Sequence, residues 1–109
     1  MMPTINLYSH DGKFESKTID GLKKLTAELL STETFKLPPE HMSIRPIAVA
    51  ETTYMIAPVE CDILAANFEE RIKKQDEICN SVRTYLLAHI AWIKDARVWL
   101  PLSELWHSF

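Results

Sequence analysis

Two stretches of helical periodicity, each flanked by β-prone segments, constrain what this chain can fold into. The first runs from about Glu15 to Ser31, and its stripe consists of Ile19, Leu22, Leu25 and Leu29. The second runs from about Arg71 to Ile93, and its stripe consists of Ile72, Gln75, Cys79, Val82, Leu86, Ile90 and Ile93. Steps of three and four residues are typical of amphipathic helices, so we predict two helices that each pack one face onto a core.

Four β-prone segments surround the two predicted helices. Thr4 to Tyr8 alternates polar and apolar residues, and Cys61 to Phe68 is largely apolar, as a central strand is. Met42 to Ala50 contains Pro46, which removes one ladder donor and indicates an edge, a bulge or a strand end. Ala96 to Leu102 is the fourth segment. The order predicts an α+β fold of two β-α-β units, with a mixed sheet and two helices on one face.

The connections between these elements carry three further predictions. Leu37 to Glu40 contains two prolines, which end helices and fix turns, so the first connection ends there. Glu51 to Met55 is β-prone and either extends the second strand or begins a hairpin. Gly21 lies inside the first helix at a cost of up to about 1 kcal/mol relative to alanine, and we expect close packing on the sheet there.

The chain length predicts one domain over residues 1–109. A domain of this size buries a modest fraction of its surface, so oligomerisation is a plausible source of further stability. The last residues carry a hydrophobic tail that consists of Leu105, Trp106 and Phe109. Such side chains are costly in a free monomer, and we therefore expect the tail to lie on a partner subunit.

Charge and composition exclude several classes of protein. The net charge of −3 argues against nucleic-acid binding, which usually needs a basic face. No apolar run approaches the roughly 20 residues that cross a membrane, and no signal sequence is evident, so we expect a cytoplasmic protein. Cys61 and Cys79 lack metal or redox spacing and are expected to be reduced packing residues. The four histidines also lack metal-ligand spacing, so no metal and no cofactor are expected.

The proline near the start of the chain is the main candidate for catalysis. A proline nitrogen is basic only when it is the free chain terminus, because inside a chain it belongs to an amide without a proton. Translation from Met2, followed by trimming of that methionine, would expose Pro3, whereas translation from Met1 would leave it in an amide bond. Pro3 is therefore either a general base or simply the first residue of an edge strand, which proline tolerates.

Five short segments are informative when they are taken together. They are Pro3-Thr4-Ile5, Asp11-Gly12-Lys13, Leu37 to His41, Ser43-Ile44-Arg45 and Asp95 to Leu100. In the same order they resemble a proline-then-strand start, a Glu-Gly-Arg turn, a Lys-Pro-Pro segment, a Ser-Val-Arg strand and an Asp-Arg-Val-Tyr-Ile strand of the tautomerase superfamily. That superfamily includes 4-oxalocrotonate tautomerase and macrophage migration inhibitory factor. Glu51 to Tyr54 and Phe68 to Gln75 look closer to an uncharacterised bacterial branch of it.

The resemblance implies a homotrimer with active sites between subunits. In that family an N-terminal proline moves a proton between carbon and oxygen of a keto-enol pair, while cations hold the substrate carboxylate. It therefore implies that Pro3 is the base and that Arg45 and Lys13 hold the carboxylate. Arginine offers a rigid bidentate fork and lysine a flexible point charge, so Lys13 is also well explained as a solvated surface cation.

Two further residues have open roles. Arg71 either reaches into the same pocket or, as we prefer, forms a salt bridge with Glu69 or Glu70. Trp99 stands where relatives carry tyrosine; it can form a wall of the pocket but has no hydroxyl to act as an acid, so packing is the better expectation.

The leading functional hypothesis is a tautomerase-like protein that acts on a small keto or enol acid. The alternative is a non-catalytic homotrimer of the same fold that binds a small anion or a protein partner. The methionine pair before Pro3 favours the alternative, whereas the cations and the strand start favour the enzyme.

Overall fold

The computed structural model describes residues 3–66 and 69–103. Its strands are β1 (Thr4–Ser9), β2 (Ser43–Ala48), β3 (Val59–Ala66), β4 (Ala96–Trp99) and β5 (Leu102–Ser103). Its helices are α1 (Ser16–Leu30), α2 (Glu69–Lys73) and α3 (Gln75–His89), with a short 3₁₀ turn at Pro39–His41. The predicted α+β class and the strand-helix-strand order of each half are confirmed.

The main sheet has the strand order β2-β1-β3-β4. The pair β1–β2 and the pair β3–β4 are parallel, and β1 and β3 meet antiparallel at the centre, where Ile5 faces Ile63. Each half of the chain thus supplies one parallel pair with helices in the crossover, which confirms the mixed sheet of two β-α-β units. Pro46 has no backbone N–H to donate, but β2 lies at the edge of the sheet, so the hydrogen bonds between the central strands are not interrupted.

The core lies between one face of this sheet and the helices α1 and α3. Alternate residues of the two central strands point into it and are fully buried, namely Ile5, Leu7, Val59, Cys61 and Ile63. The helices contribute Leu22, Leu30, Ile78, Val82 and Leu86, which are also fully buried. Burial raises the pKa of the Cys61 thiol, as is typical of an inert packing cysteine. The other face of the sheet carries no helix among the described residues.

The buried stripe of α1 is rotated from the predicted one. The fully or almost fully buried positions include Thr18, Leu22, Thr26 and Leu30, whereas Ile19, Leu25 and Leu29 are only half-buried. The rotation has a cause in the packing against α3. Gly21 lies against the ring of Tyr85, and a Cβ added there would collide with the Tyr85 hydroxyl, which donates to the carbonyl oxygen of Thr18 at 2.8 Å. Gly21 therefore permits close packing on a helix, and the expected contact with the sheet is wrong.

The predicted helix from Arg71 to Ile93 is two helices in the structure. Lys74, with φ −102° and ψ 8°, separates α2 from α3, and α3 ends at His89 because Ile90 is extended. The buried face of α3 therefore differs from the predicted one. Ile72 is 48% exposed, whereas Ile78, which the prediction left out, is fully buried. Arg71, on the short helix before the break, is buried.

The connection between β2 and β3 differs from the prediction as well. Residues 51–55 form a turn that neither extends β2 nor pairs as a hairpin strand. Strand β3 begins at Val59, two residues before the predicted start. The end of the predicted third strand, at Asn67 and Phe68, and the hydrophobic tail lie outside the described residues, so the contact of the tail with a partner stays a prediction.

One buried hydroxyl in α1 gives a stability prediction. The Thr26 hydroxyl is fully buried and has no hydrogen-bond partner within the described part of the chain. Leaving a hydroxyl unpaired in the interior costs about 1–3 kcal/mol, and valine has nearly the same shape. We expect Thr26→Val to raise the free energy of unfolding, measured with urea, by about 1 kcal/mol. Thr26→Ser keeps the hydroxyl but loses a methyl group and should destabilise; a loss of stability in Thr26→Val would show that the hydroxyl has a partner.

Candidate functional site

Pro3 lies at the head of the central strand of the sheet. It is buried, and its carbonyl oxygen accepts a hydrogen bond from the backbone N–H of Ser43 at 3.1 Å. The next residue, Thr4, pairs with Ser43 on β2 and with Leu64 on β3. Pro3 therefore starts a central strand, and the predicted edge position is wrong because β1 has neighbours on both sides. The choice between a general base and a strand start stays a prediction.

Arg71 is buried near the same end of the sheet as Pro3. Its side chain is 2% exposed; Nε donates to the carbonyl oxygen of Leu30 at 2.9 Å and Nη1 to that of Ala66 at 3.1 Å. The guanidinium carbon lies 5.9 Å from the centre of the Phe35 ring. Burial lowers the pKa of Arg71 from its usual value. This guanidinium thus joins the C-terminal end of α1 to the end of β3.

The preferred salt bridge of Arg71 with Glu69 or Glu70 is not formed. Glu69 pairs instead with Lys73 at 3.6 Å, and a carboxylate oxygen of Glu70 accepts the backbone N–H of Glu33 at 3.2 Å. The sequence could not reveal this arrangement, because the Leu30 carbonyl that Arg71 contacts lies 41 residues away along the chain.

Arg45 and Trp99 lie on the helix-free face, which we define as the outward residues of the four main strands. Strand register places Arg45, Asn6, Asp62 and Trp99 in one row across β2, β1, β3 and β4. Arg45 and Trp99 are on opposite edges, about 14 Å apart at three strand spacings. Arg45 is exposed, and Trp99 is 39% exposed.

Lys13 lies at the other end of β1 from Pro3. The intervening strand has six residues, which span about 20 Å. In the turn that carries Lys13, its backbone N–H donates to Asp11 Oδ1 at 3.0 Å, and the N–H of Gly12 donates to Ser9 Oγ at 2.8 Å. The bond from Lys13, together with the bond that the Ser9 hydroxyl donates to Asp11 Oδ1 at 3.1 Å, lowers the pKa of Asp11. The exposed side chain of Lys13 borders a small cavity of about 150 Å³ beside Trp92.

Within one chain, the five predicted site residues therefore occupy three places. Pro3 and Arg71 share one end of the sheet, Arg45 and Trp99 lie on the helix-free face, and Lys13 lies beyond the opposite end of β1. Lys13, Arg45 and Trp99 do not gather around Pro3 in a single chain.

Sequence reasoning missed a cavity of about 280 Å³ that Trp99 shares with Tyr8, Glu60 and Asp62. The Tyr8 hydroxyl donates to Asp62 Oδ2 at 3.1 Å, and burial together with the Asp62 carboxylate raises the pKa of Tyr8. Two carboxylates disfavour a carboxylated substrate at this place by like-charge repulsion. Polar residues at alternate positions of β1 and β3 were the available signal, but only the register shows that they meet.

Two features are absent from the described residues. No group of three or more His, Cys, Asp or Glu side chains in residues 3–66 and 69–103 could hold a metal ion. No helix in that part of the chain is both long and apolar enough to cross a membrane.

Comparison with known proteins identifies the fold. No protein-family model matches this sequence, and no curated protein matches it. Among solved structures, the macrophage migration inhibitory factor-like protein of Entamoeba histolytica superposes with a TM-score of 0.58 over 96% of this chain and 90% of that one. The sequence identity is 16%, so the likeness concerns the fold. It confirms the fold that the resemblance implies, whereas the bacterial branch stays a prediction.

Proposed function

We propose that this protein is a cytoplasmic, homotrimeric tautomerase of a small carboxylated keto or enol acid, with Pro3 as its general base. The observation that carries the proposal is the burial of Pro3 at the head of the central strand. A free α-amine has a pKa of about 7.7–8.0, and burial lowers it because the charged form is desolvated. A neutral secondary amine near pH 7 is well suited to accept a proton from carbon.

The proposed reaction moves one proton and needs no redox partner. The neutral nitrogen of Pro3 removes a proton from the carbon next to the substrate carbonyl, and the electron pair of that C–H bond moves to the carbonyl oxygen. The protonated nitrogen then returns its proton to this oxygen, which gives the enol and restores the base; the reverse path gives the ketone. This chemistry requires that no residue precedes Pro3.

The carboxylate-binding role of Arg45 and Lys13 requires assembly. One chain keeps both cations away from Pro3, so they must reach the proline of a neighbouring subunit. The edge strands β2 and β4 are the surfaces through which neighbouring sheets can meet. In this arrangement Arg45 would bind the carboxylate with two parallel hydrogen bonds, and Lys13 would add a second positive charge.

The test begins with the intact mass of untagged protein from its native host. A mass without Met1 and Met2 is expected, because only that form has a basic Pro3. This form is then compared with a chain that carries one extra residue before Pro3, with phenylpyruvate as substrate and enol absorbance as the readout. We expect tautomerisation by the first form only. Equal rates in both forms, or a native chain that retains Met1, would refute the proline mechanism.

Arg45→Ala tests the cation separately. We expect kcat/KM for phenylpyruvate to fall about tenfold. The loss should appear as a higher KM if Arg45 binds substrate and transition state equally well, and as a lower kcat if the contact strengthens in the transition state. Arg97→Ala removes an exposed arginine from β4 and is the matched control. The oligomeric state, measured by light scattering, must stay the same in both variants. An unchanged kcat/KM in Arg45→Ala would exclude Arg45 from the site.

A non-catalytic homotrimer that binds a small anion or a protein partner is the second candidate. The observation that favours it concerns Arg71, a candidate substrate ligand near the Pro3 end of the sheet. Its guanidinium donates to two backbone carbonyls and so holds the fold together at the place where a catalytic site would need a cation for the substrate. A trimer that has a free Pro3 and yet no tautomerase activity would support this candidate.

A further inference from the structure

A cavity of about 150 Å³ lies in the helix layer, at the end of the sheet opposite Pro3. Its walls come from the segment that leads into α1 and from the end of α3 with the turn after it, residues 13–18 and 89–92. None of these residues belongs to a strand. The cavity therefore borders neither the helix-free face nor the edge strands through which subunits of the proposed trimer meet.

The N-terminal end of α1 borders this cavity and has no side-chain cap. Glu15 occupies the N-cap position, and its side chain makes no hydrogen bond to the helix. The backbone N–H groups of Ser16, Lys17 and Thr18 donate to no acceptor within the described residues. Such N–H groups carry the positive end of the helix dipole, and water or an anion satisfies them.

The Thr18 hydroxyl is an independent sign that a polar group enters the cavity. Only 5% of Thr18 is exposed, and the hydrogen bond that it accepts from Tyr85 goes to its carbonyl oxygen, so its hydroxyl has no partner in residues 3–66 and 69–103. This hydroxyl is not sealed from solvent as that of Thr26 is, and the cavity is the opening that Thr18 lines. It can therefore donate to an acceptor inside the cavity.

The other walls are mainly apolar. Phe14 is half-buried against the core, Trp92 is 56% exposed at the opening, and Ile90 and Ala91 lie between the two helix ends. An apolar cavity of about 150 Å³ is large enough to bind a benzene ring. The shape and the lining thus favour a ligand with one aromatic ring.

Tyr85 holds two walls of the cavity in place. Its hydroxyl donates to the carbonyl oxygen of Thr18 at 2.8 Å, and its ring stacks on that of His89 with the centres 4.1 Å apart. The site is therefore formed before a ligand arrives, which lowers the entropic cost of binding. Lys13 and Glu15 also border the cavity, but both are exposed and their charges offset each other. The N–H groups and the hydroxyl consequently decide which polar group is bound.

We propose that this cavity binds a small aromatic carboxylate. The carboxylate would accept hydrogen bonds from the Thr18 hydroxyl and from the first N–H groups of α1, and the ring would lie between Phe14 and Trp92. The proposal does not depend on tautomerase activity. Lys13 is the one residue that borders the cavity and is also assigned to that reaction, and none of these contacts requires it.

The test is an NMR titration of the isotope-labelled, full-length protein with benzoate. The control ligand is benzamide, which has nearly the same shape without the charge. We expect saturable shifts of the Thr18 backbone N–H and of the Trp92 indole N–H, and an affinity for benzamide at least about tenfold weaker, because charged acceptors form the stronger hydrogen bonds. Equal affinities, shifts confined to other residues, or no binding of benzoate at millimolar concentrations would overturn the proposal.

Thr18→Val removes the hydroxyl and keeps the shape of the side chain. We expect benzoate to bind about tenfold more weakly to this variant, because one hydrogen bond to a charged group is lost. Thr26→Val makes the same change on the same helix, at a buried position that does not line the cavity, and should leave the affinity unchanged. The hydroxyl of Thr18 has no partner within the described chain, so its removal should not unfold the protein. Wild-type affinity in Thr18→Val would refute the proposal.

Arg45→Ala separates this cavity from the proposed tautomerase site, which can also attract a carboxylate. Arg45 lies on the helix-free face and does not line the cavity, so the affinity for benzoate should not change in this variant. A loss of binding would assign the carboxylate to the tautomerase site and overturn the proposal. Benzoate binding with shifts at Thr18 and Trp92, in a protein that has no tautomerase activity, would support the cavity and refute only the proposed reaction.

Discussion

Arg71→Met is expected to lower the free energy of unfolding by about 3 kcal/mol, because it leaves two carbonyl oxygens without their charged donor. The guanidinium donates to Leu30 at the end of α1 and to Ala66 at the end of β3, so its loss weakens the contact between the first helix and the third strand. Methionine retains most of the side-chain volume, which keeps the effect of a cavity small. Urea denaturation measures the loss.

Lys73→Met is the control for Arg71→Met. It also replaces a cationic side chain by methionine, two residues away on α2, where the Lys73 side chain is exposed and forms an ion pair with Glu69. A surface ion pair of this kind contributes little, so we expect a change within about 0.5 kcal/mol. Similar losses in the two variants would contradict a special role for the buried guanidinium. A loss confined to Arg71→Met would show that the buried guanidinium stabilises the framework of the fold.

Gly12→Ala is expected to destabilise the protein by about 2 kcal/mol or more for two reasons. Gly12 has φ +63°, the left-handed region, where a residue with a Cβ atom is strained by about 1–3 kcal/mol. A Cβ at this position would also lie 2.9 Å from the Cβ of Ala48 and 3.0 Å from its backbone nitrogen. The backbone of β2 would have to move, and thermal unfolding should show a lower midpoint.

Gly12→Asn separates the two causes. Asparagine adopts the left-handed region more readily than alanine does, but its Cβ meets Ala48 in the same way. If backbone strain dominates, Gly12→Asn should be clearly more stable than Gly12→Ala. If the contact with Ala48 dominates, the two variants should be equally destabilised. Wild-type stability in Gly12→Ala would show that the turn can adopt another conformation.

Local periodicity was sufficient for most elements of the fold. Alternation marked β1 within one residue, and the first helix was placed within a residue at each end. The break at Lys74 could not be predicted, because lysine suits a helix and only the whole fold shows where the helix is interrupted. The buried line of α1 was misplaced for a similar reason, since Thr18 and Thr26 are polar and only their packing makes them interior residues.

The candidate site was less predictable than the fold. The position of Pro3 followed from its place before a strand, but its neighbours depended on strand order. Asp62 and Trp99 became neighbours only through the register of β3 and β4, which lie 37 positions apart along the chain. A pattern within ten or twenty residues cannot hold this information. In the proposed homotrimer, the placing of Arg45 and Lys13 beside Pro3 depends further on contacts between chains, which no single-chain pattern encodes.

The strand order has a consequence for how fast this protein folds. No two paired strands of the described sheets are joined by a tight turn: Val59 pairs with Ala96, Ile5 with Ile44 and Ile5 with Ile63, at separations of 37, 39 and 58 residues. Each pairing must close a long loop before it gains any stabilisation, and high contact order slows folding. During synthesis β3 lacks its parallel partner until β4 has emerged, so the growing chain exposes a strand edge that can pair with other chains.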